Sequence, residues 1–291
     1  MWSRLILVLL ISGSGITSWM SSRASIKSAA LISSPSSNFP ARISSAESFY
    51  PSDLTAPIED DLVSGQILPD LQTLSPTKLQ LFHEADSGRT YLRFSNSIWN
   101  SGPGVLELIG TPNHSGDQIQ VIQRIYGSDP EMFEQHQVGV FVFHERHNHW
   151  HLEQFASYEI WSVDEGGALE TMVATGGKVS YCVMDVSLAE NEYSEGIVPR
   201  YRSYTHCEDN LQGLSVGWVD TYKYFYPGQS IEVGSLEDGI YALVSTVDPL
   251  HLIKEGNIHN NSARVYFELN ERQLKIVDYL FTEEDDGQNP K

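Results

Sequence analysis

This chain is short of several things. It has two cysteines in 291 residues, so it can form at most one internal disulfide. It has 18 Lys and Arg against 38 Asp and Glu, a formal charge of −20. Phosphate backbones need a basic face, and this balance argues against nucleic acid as a partner. Outside its first residues the chain has no long apolar run. Even LILVLLI (residues 5–11) is short of the roughly 20 residues that a membrane-spanning helix needs. Long amphipathic helices are hard to find, and there is no internal repeat.

What remains is a series of strands and turns. RTYLRFSNSIWN and QIQVIQRIYG alternate apolar and polar residues, as half-buried strands do. YEIWSV runs into the turn DEGGALE and then TMVATGGKVSYCVMD; later come YPGQSIEV, the turn EDG, YALVSTVDP and NNSARVYFEL. Turn chemistry at such short intervals predicts an all-β, β-sandwich-like domain with long loops and few short helices, over residues 65–270.

The ends read differently. Residues 1–30 have the order of a secretory signal peptide: a charged MWSR, an apolar core, then small residues. Uncleaved, the segment is an N-terminal anchor; no other membrane association is expected. Its removal takes the charge from −20 to −23, because Arg4, Arg23 and Lys27 are the only charges in it. Residues 31–64 are a Ser-, Pro- and acid-rich linker. Residues 271–291 hold a final strand and an acidic tail. The expected location is secreted, periplasmic or extracellular. In an exported chain the isolated pair Cys182 and Cys207 suggests a disulfide. Asn113 and Asn260 fit the N-glycosylation pattern.

Histidine is concentrated in one place. Four of the ten histidines fall in HERHNHWHLEQF (residues 144–155). The flanks, VGVFVFH and FASYEIWSV, are strand formers. In an extended strand alternate side chains share a face, so His147, His149 and His151 are expected to project together. Three imidazoles converging on one point suit copper, zinc or iron and leave coordination positions open. His144 lies on the opposite parity of such a strand and is expected to support the ligands from behind.

Four stretches, in order, resemble the lysyl oxidase family of copper- and quinone-dependent amine oxidases. HERHNHWHLEQF resembles its histidine-rich copper motif. GGKVSYCVMD resembles the segment with its cofactor-forming lysine, and LQGLSVGWVDTY the segment that ends at its cofactor-forming tyrosine. DGIYALVSTVDP followed by HNNSARVYFEL resembles its closing strands. Upstream, LRFSNSIWNSGPGVLEL and VIQRIY are similar to microbial members. The resemblance implies copper on His147, His149 and His151, and a lysine tyrosylquinone cofactor built from Lys178 and Tyr222. It implies oxidation of a primary amine, or of lysine in a protein, by O2 to an aldehyde with release of hydrogen peroxide and ammonia. Taken singly, Lys178 is a lysine after a glycine pair and Tyr222 is one aromatic in DTYKYFYP; their matching contexts single them out.

There are departures from the family. Animal members have several disulfides. A histidine that follows the copper motif in them is replaced here around Ser157. Asp220 and Glu153 are the carboxylates that stand as alternative proton acceptors. Two other readings compete. One is an exported copper-binding β-domain that never forms the quinone. The other is a different metal enzyme, either a hydrolytic zinc site or a cupin. The spacing of His147, His149 and Glu153 fits a cupin, but Ile160 stands where its glycine belongs.

Overall fold

Alternation of apolar and polar side chains sets the architecture. In the strand QIQVIQRIY every second residue from Ile119 to Ile125 is buried, and LELIGT and ASYEIWSV repeat the pattern. The computed structural model describes residues 65–111, 118–129, 131–145, 147–176, 180–190 and 194–278. These contain fifteen strands and no helix, so the all-β class is borne out. In chain order they are β1 (Leu71–His83), β2 (Thr90–Asn100), β3 (Leu106–Thr111), β4 (Gln118–Tyr126), β5 (Phe133–His144), β6 (His149–Leu152), β7 (Ala156–Val163) and β8 (Leu169–Thr175). There follow β9 (Ser187–Leu188), β10 (Leu211–Leu214), β11 (Trp218–Tyr222), β12 (Ser230–Glu232), β13 (Gly239–Val247), β14 (Ser262–Asn270) and β15 (Gln273–Val277).

Every strand pairing is antiparallel, in three sheets. The first has the order β1-β2-β11-β9, with β12 also on β2; the second is β10-β3-β4-β5-β6; the third is β15-β14-β13-β7-β8. The first and third sheets face each other. β1 lies against β13 and β14, and Phe94 of β2 meets Tyr158 of β7 edge to face at 4.9 Å. Leu92, Ile98, Ile160, Leu243 and Phe267 fill the space between them and are fully buried. The turn residues behave as their chemistry predicts. Gly167 of DEGG closes β7 onto β8 at φ +83, and Gly228 precedes β12 at φ +80, conformations that cost glycine little.

β1 has no counterpart in the sequence reading. It carries Pro76 and two irregularities in register against β2, with Lys78 at φ +55. It is a sheet edge, where a proline's missing N–H interrupts no ladder.

Candidate metal centre and the cavity beside Tyr222

The histidine run is a hairpin and not one strand. β5 ends at His144 and β6 begins at His149. The N–H groups of His147 and Asn148 both donate to the carbonyl of His144, at 2.9 and 2.8 Å. Asn148 takes φ +55, a left-handed conformation that asparagine tolerates. Two expectations are corrected by this reversal. Only His149 and His151 share a strand face, while His147 belongs to the turn. His144 does not have the opposite parity: it is the cross-strand partner of His149, as Val142 is of His151, so it shares their face.

The turn nevertheless brings the three nitrogens together. His149 Nε2 lies 2.8 Å from His151 Nε2, and His147 Nδ1 lies 3.4 Å from the same atom. Nitrogens each about 2.0 Å from a common ion stand this far apart when they subtend roughly 90–115°. Both separations from His151 Nε2 therefore fit pairs of ligands on a first-row transition ion. His149 also approaches the sulfurs of Cys182 and Cys207, but these are joined in a disulfide and offer no thiolate.

His151 is fully buried. Its Nδ1 is 3.2 Å from Ser180 Oγ, which is also 3.3 Å from His144 Nε2. A proton on Nδ1, donated to Ser180, leaves Nε2 as the ligating atom. The His144 ring stacks on His151 at 4.2 Å, and its Nε2 is 3.3 Å from Glu153 Oε1. Ser180 was not singled out from the sequence, since a serine beside a strand carries no signal of its own. Ser180→Ala is expected to lower the cluster's affinity for a first-row transition ion by about 10–100-fold, as loss of an outer partner of a ligating histidine does. Competition titration with a chelator measures it.

The free edge of β6 is joined to the segments around the disulfide. Trp150 N–H donates to the Cys207 carbonyl, and Leu152 exchanges hydrogen bonds with Tyr181 at 2.7 and 3.0 Å. Cys182 and Cys207 are bonded, with Cα atoms 5.3 Å apart and a sequence separation of 25. A loop of that length implies about 3 kcal/mol of stabilisation. The Cys182→Ser/Cys207→Ser double variant is therefore expected to melt roughly 6–12 °C lower, by calorimetry.

Tyr222 ends β11, opposite Asn96 of β2. It is 8% exposed, and its hydroxyl accepts the Cys182 N–H at 2.7 Å. Its ring lies 3.9 Å from that of Tyr181. Burial, and then the Asp220 carboxylate, hold its phenol well above the usual range, so it is neutral at pH 7 without a neighbouring cation. Behind it the Tyr158 and Tyr181 hydroxyls meet, and Asn96 Nδ2 donates to Tyr181 at 3.2 Å. Burial pushes Tyr158 up to about 12. Sequence reasoning missed this polar cluster; its trace was Asn96 on the strand face that carries Leu92, Phe94 and Ile98.

A cavity of about 450 Å³ is lined by His147, His149, Asp220, Tyr222 and both cysteines. It joins the histidine cluster to the tyrosine. Asp220, 1% exposed, lies on the same strand face as Tyr222. Glu153, the other carboxylate considered, faces a different cavity with His144. Ser157 is on β7, on the face opposite the buried Tyr158. Lys178 lies outside the described residues, as do residues 1–64, Asn113 and the acidic tail.

The fold and the site define an all-β protein whose clustered imidazoles share a cavity with a buried tyrosine. Residues 118–279, more than half of the chain, match the family model described as lysyl oxidase. Among curated relatives, lysyl oxidase homolog 2B of Danio rerio is 28% identical over 181 residues, covering 62% of this chain and 19% of the relative. Protein-lysine 6-oxidase of Gallus gallus is 32% identical over 123 residues, 42% of this chain and 26% of its own length. The Sus scrofa protein of the same name is 30% identical over 123 residues, 42% of this chain and 44% of its own. The matched stretch thus spans less than half of each of these relatives. The chain belongs to the lysyl oxidase family.

Proposed function

We propose that this protein is an exported copper- and quinone-dependent amine oxidase. The single observation that carries the reading is the cavity in which His147 and His149, next to His151, meet Tyr222 and Asp220. His147, His149 and His151 are the residues that hold copper, and Tyr222 and Lys178 those that form lysine tyrosylquinone. When present, copper and the quinone supply the two-electron oxidation of a primary amine by O2, giving aldehyde, hydrogen peroxide and ammonia.

The chain's own residues do the rest. The Cys182 N–H and the Tyr181 ring fix the position of Tyr222. The disulfide braces the segment that carries this N–H to β6 and its histidines. Asp220 is the carboxylate beside the reacting tyrosine and is assigned to accept the substrate's α-proton; Glu153 is too far round the hairpin to share that cavity. Two peptide units separate Lys178 from Ser180, whose hydroxyl touches His151. That adjacency supports its role.

The relatives named protein-lysine 6-oxidase point to a lysine side chain, or another primary amine, as the substrate. The disulfide supports an oxidising compartment. With it we retain residues 1–30 as a leader, 31–64 as a linker, 65–270 as the catalytic domain and 271–291 as the last strand and tail. To test the activity, copper-loaded full-length protein is supplied with alkylamines and lysyl peptides, and peroxide release is followed. Turnover that depends on copper and on Asp220, with Asp220→Asn slowed about 10²–10⁴-fold, is expected. Copper-loaded protein that releases no peroxide from any primary amine contradicts the reading.

A further inference from the structure

The buried His151 must receive its metal from somewhere, and His147 lines two cavities. They differ in charge. Among the described residues, the one beside Tyr222 carries Arg202 and Lys223 against Asp220. The other, of about 770 Å³, carries Glu145, Glu153 and Glu232 against Arg89. Arg89 is itself 3.6 Å from Glu232, which leaves two carboxylates unopposed by it. A cation is drawn to the second cavity and repelled from the first.

That second cavity also has ligands. His144 Nε2 and Glu153 Oε1 stand 3.3 Å apart, the separation of two neighbouring ligands on one ion, and their side chains are 34% and 32% exposed. One ligating atom from each of His144, His147 and His151 lies within 4.8 Å of the others. The groups therefore form a graded path, from His144 and Glu153 at the opening, through His147 on both cavities, to the fully buried His151.

We propose that His144 and Glu153 form a metal-capture site, which takes a divalent transition-metal ion from solvent and passes it by way of His147 to His149 and His151. This rests on the reading of those three histidines as the metal centre, but not on the quinone or the oxidase activity. A waypoint speeds entry and exit equally, so it changes rates and leaves the final affinity alone.

The test is stopped-flow uptake of Cu(II) by metal-free full-length protein, followed through quenching of tryptophan fluorescence. Trp150 sits between two of the ligands in sequence. The experiment is run in a Tyr222→Phe background, so that no quinone forms. His144→Gln and Glu153→Gln are each expected to slow uptake about tenfold or more, to slow release into chelator by the same factor, and to leave equilibrium affinity within about twofold. Uptake by the parent should slow as salt rises, and Arg202→Ala should leave it unchanged. Unchanged uptake rates in both variants overturn the proposal. So does affinity that falls with the rate, since His144 would then act on the bound metal, as a ligand or by holding Ser180 against His151. If the parent takes up no copper, the capture site and the metal centre fall together. Normal capture kinetics beside wild-type protein that makes no quinone would remove only the oxidase.

Discussion

Tyr222→Phe is expected to eliminate amine oxidation and any reaction with phenylhydrazine while leaving copper binding nearly intact. The substitution removes one oxygen. The ring keeps its place against Tyr181, 3.9 Å away, and on β11 opposite Asn96. The imidazole cluster does not depend on the hydroxyl, because it is built by the β5–β6 hairpin and Ser180. What is lost besides chemistry is the acceptor for the buried Cys182 N–H, at a cost of about 1–3 kcal/mol. Metal analysis, a hydrazine spectrum and a melting curve on one preparation separate these effects. Loss of copper in parallel with activity would mean that Tyr222 acts by shaping the metal centre.

His151→Ala is expected to have the second large effect, and on a different quantity. His151 Nε2 is the atom that both other imidazoles approach, at 2.8 and 3.4 Å. Its removal should weaken copper by more than the about 10–100-fold assigned to Ser180→Ala, and activity should vanish with the metal. It also leaves a hole at a fully buried position, so some stability is lost as well. His149→Ala, at a partly exposed position, makes the same test with less disturbance of the core. Retention of tight copper binding by both variants would remove the histidines from the metal centre.

Much of this could be read from the residues. Strands with clean alternation, such as β4 and β7, were legible because one face of each is buried and the other is not. β1 was not, since Pro76 and its register shifts interrupt the period that marks a strand. The histidines stood out as a candidate metal set from their number and spacing. Their arrangement was misread because parity holds only along an unbroken strand, and the chain reverses between His144 and His149. The position of Tyr222 beside them depends on contacts between segments far apart in sequence. Its hydroxyl meets the N–H of Cys182, forty residues earlier, and no local pattern encodes that. Ser180, Tyr158 and Asn96 acquire meaning for the same reason, from what the fold places against them.

On the proposed function this chain makes its own cofactor from Lys178 and Tyr222. The most direct measurement is peptide mass spectrometry of full-length protein loaded with Cu(II) and exposed to air. A crosslinked pair of peptides containing Lys178 and Tyr222 is expected, absent without copper and absent in Lys178→Ala and Tyr222→Phe. Fully copper-loaded protein in which both peptides are recovered separately and unmodified would contradict it, and would leave an exported copper-binding β-domain.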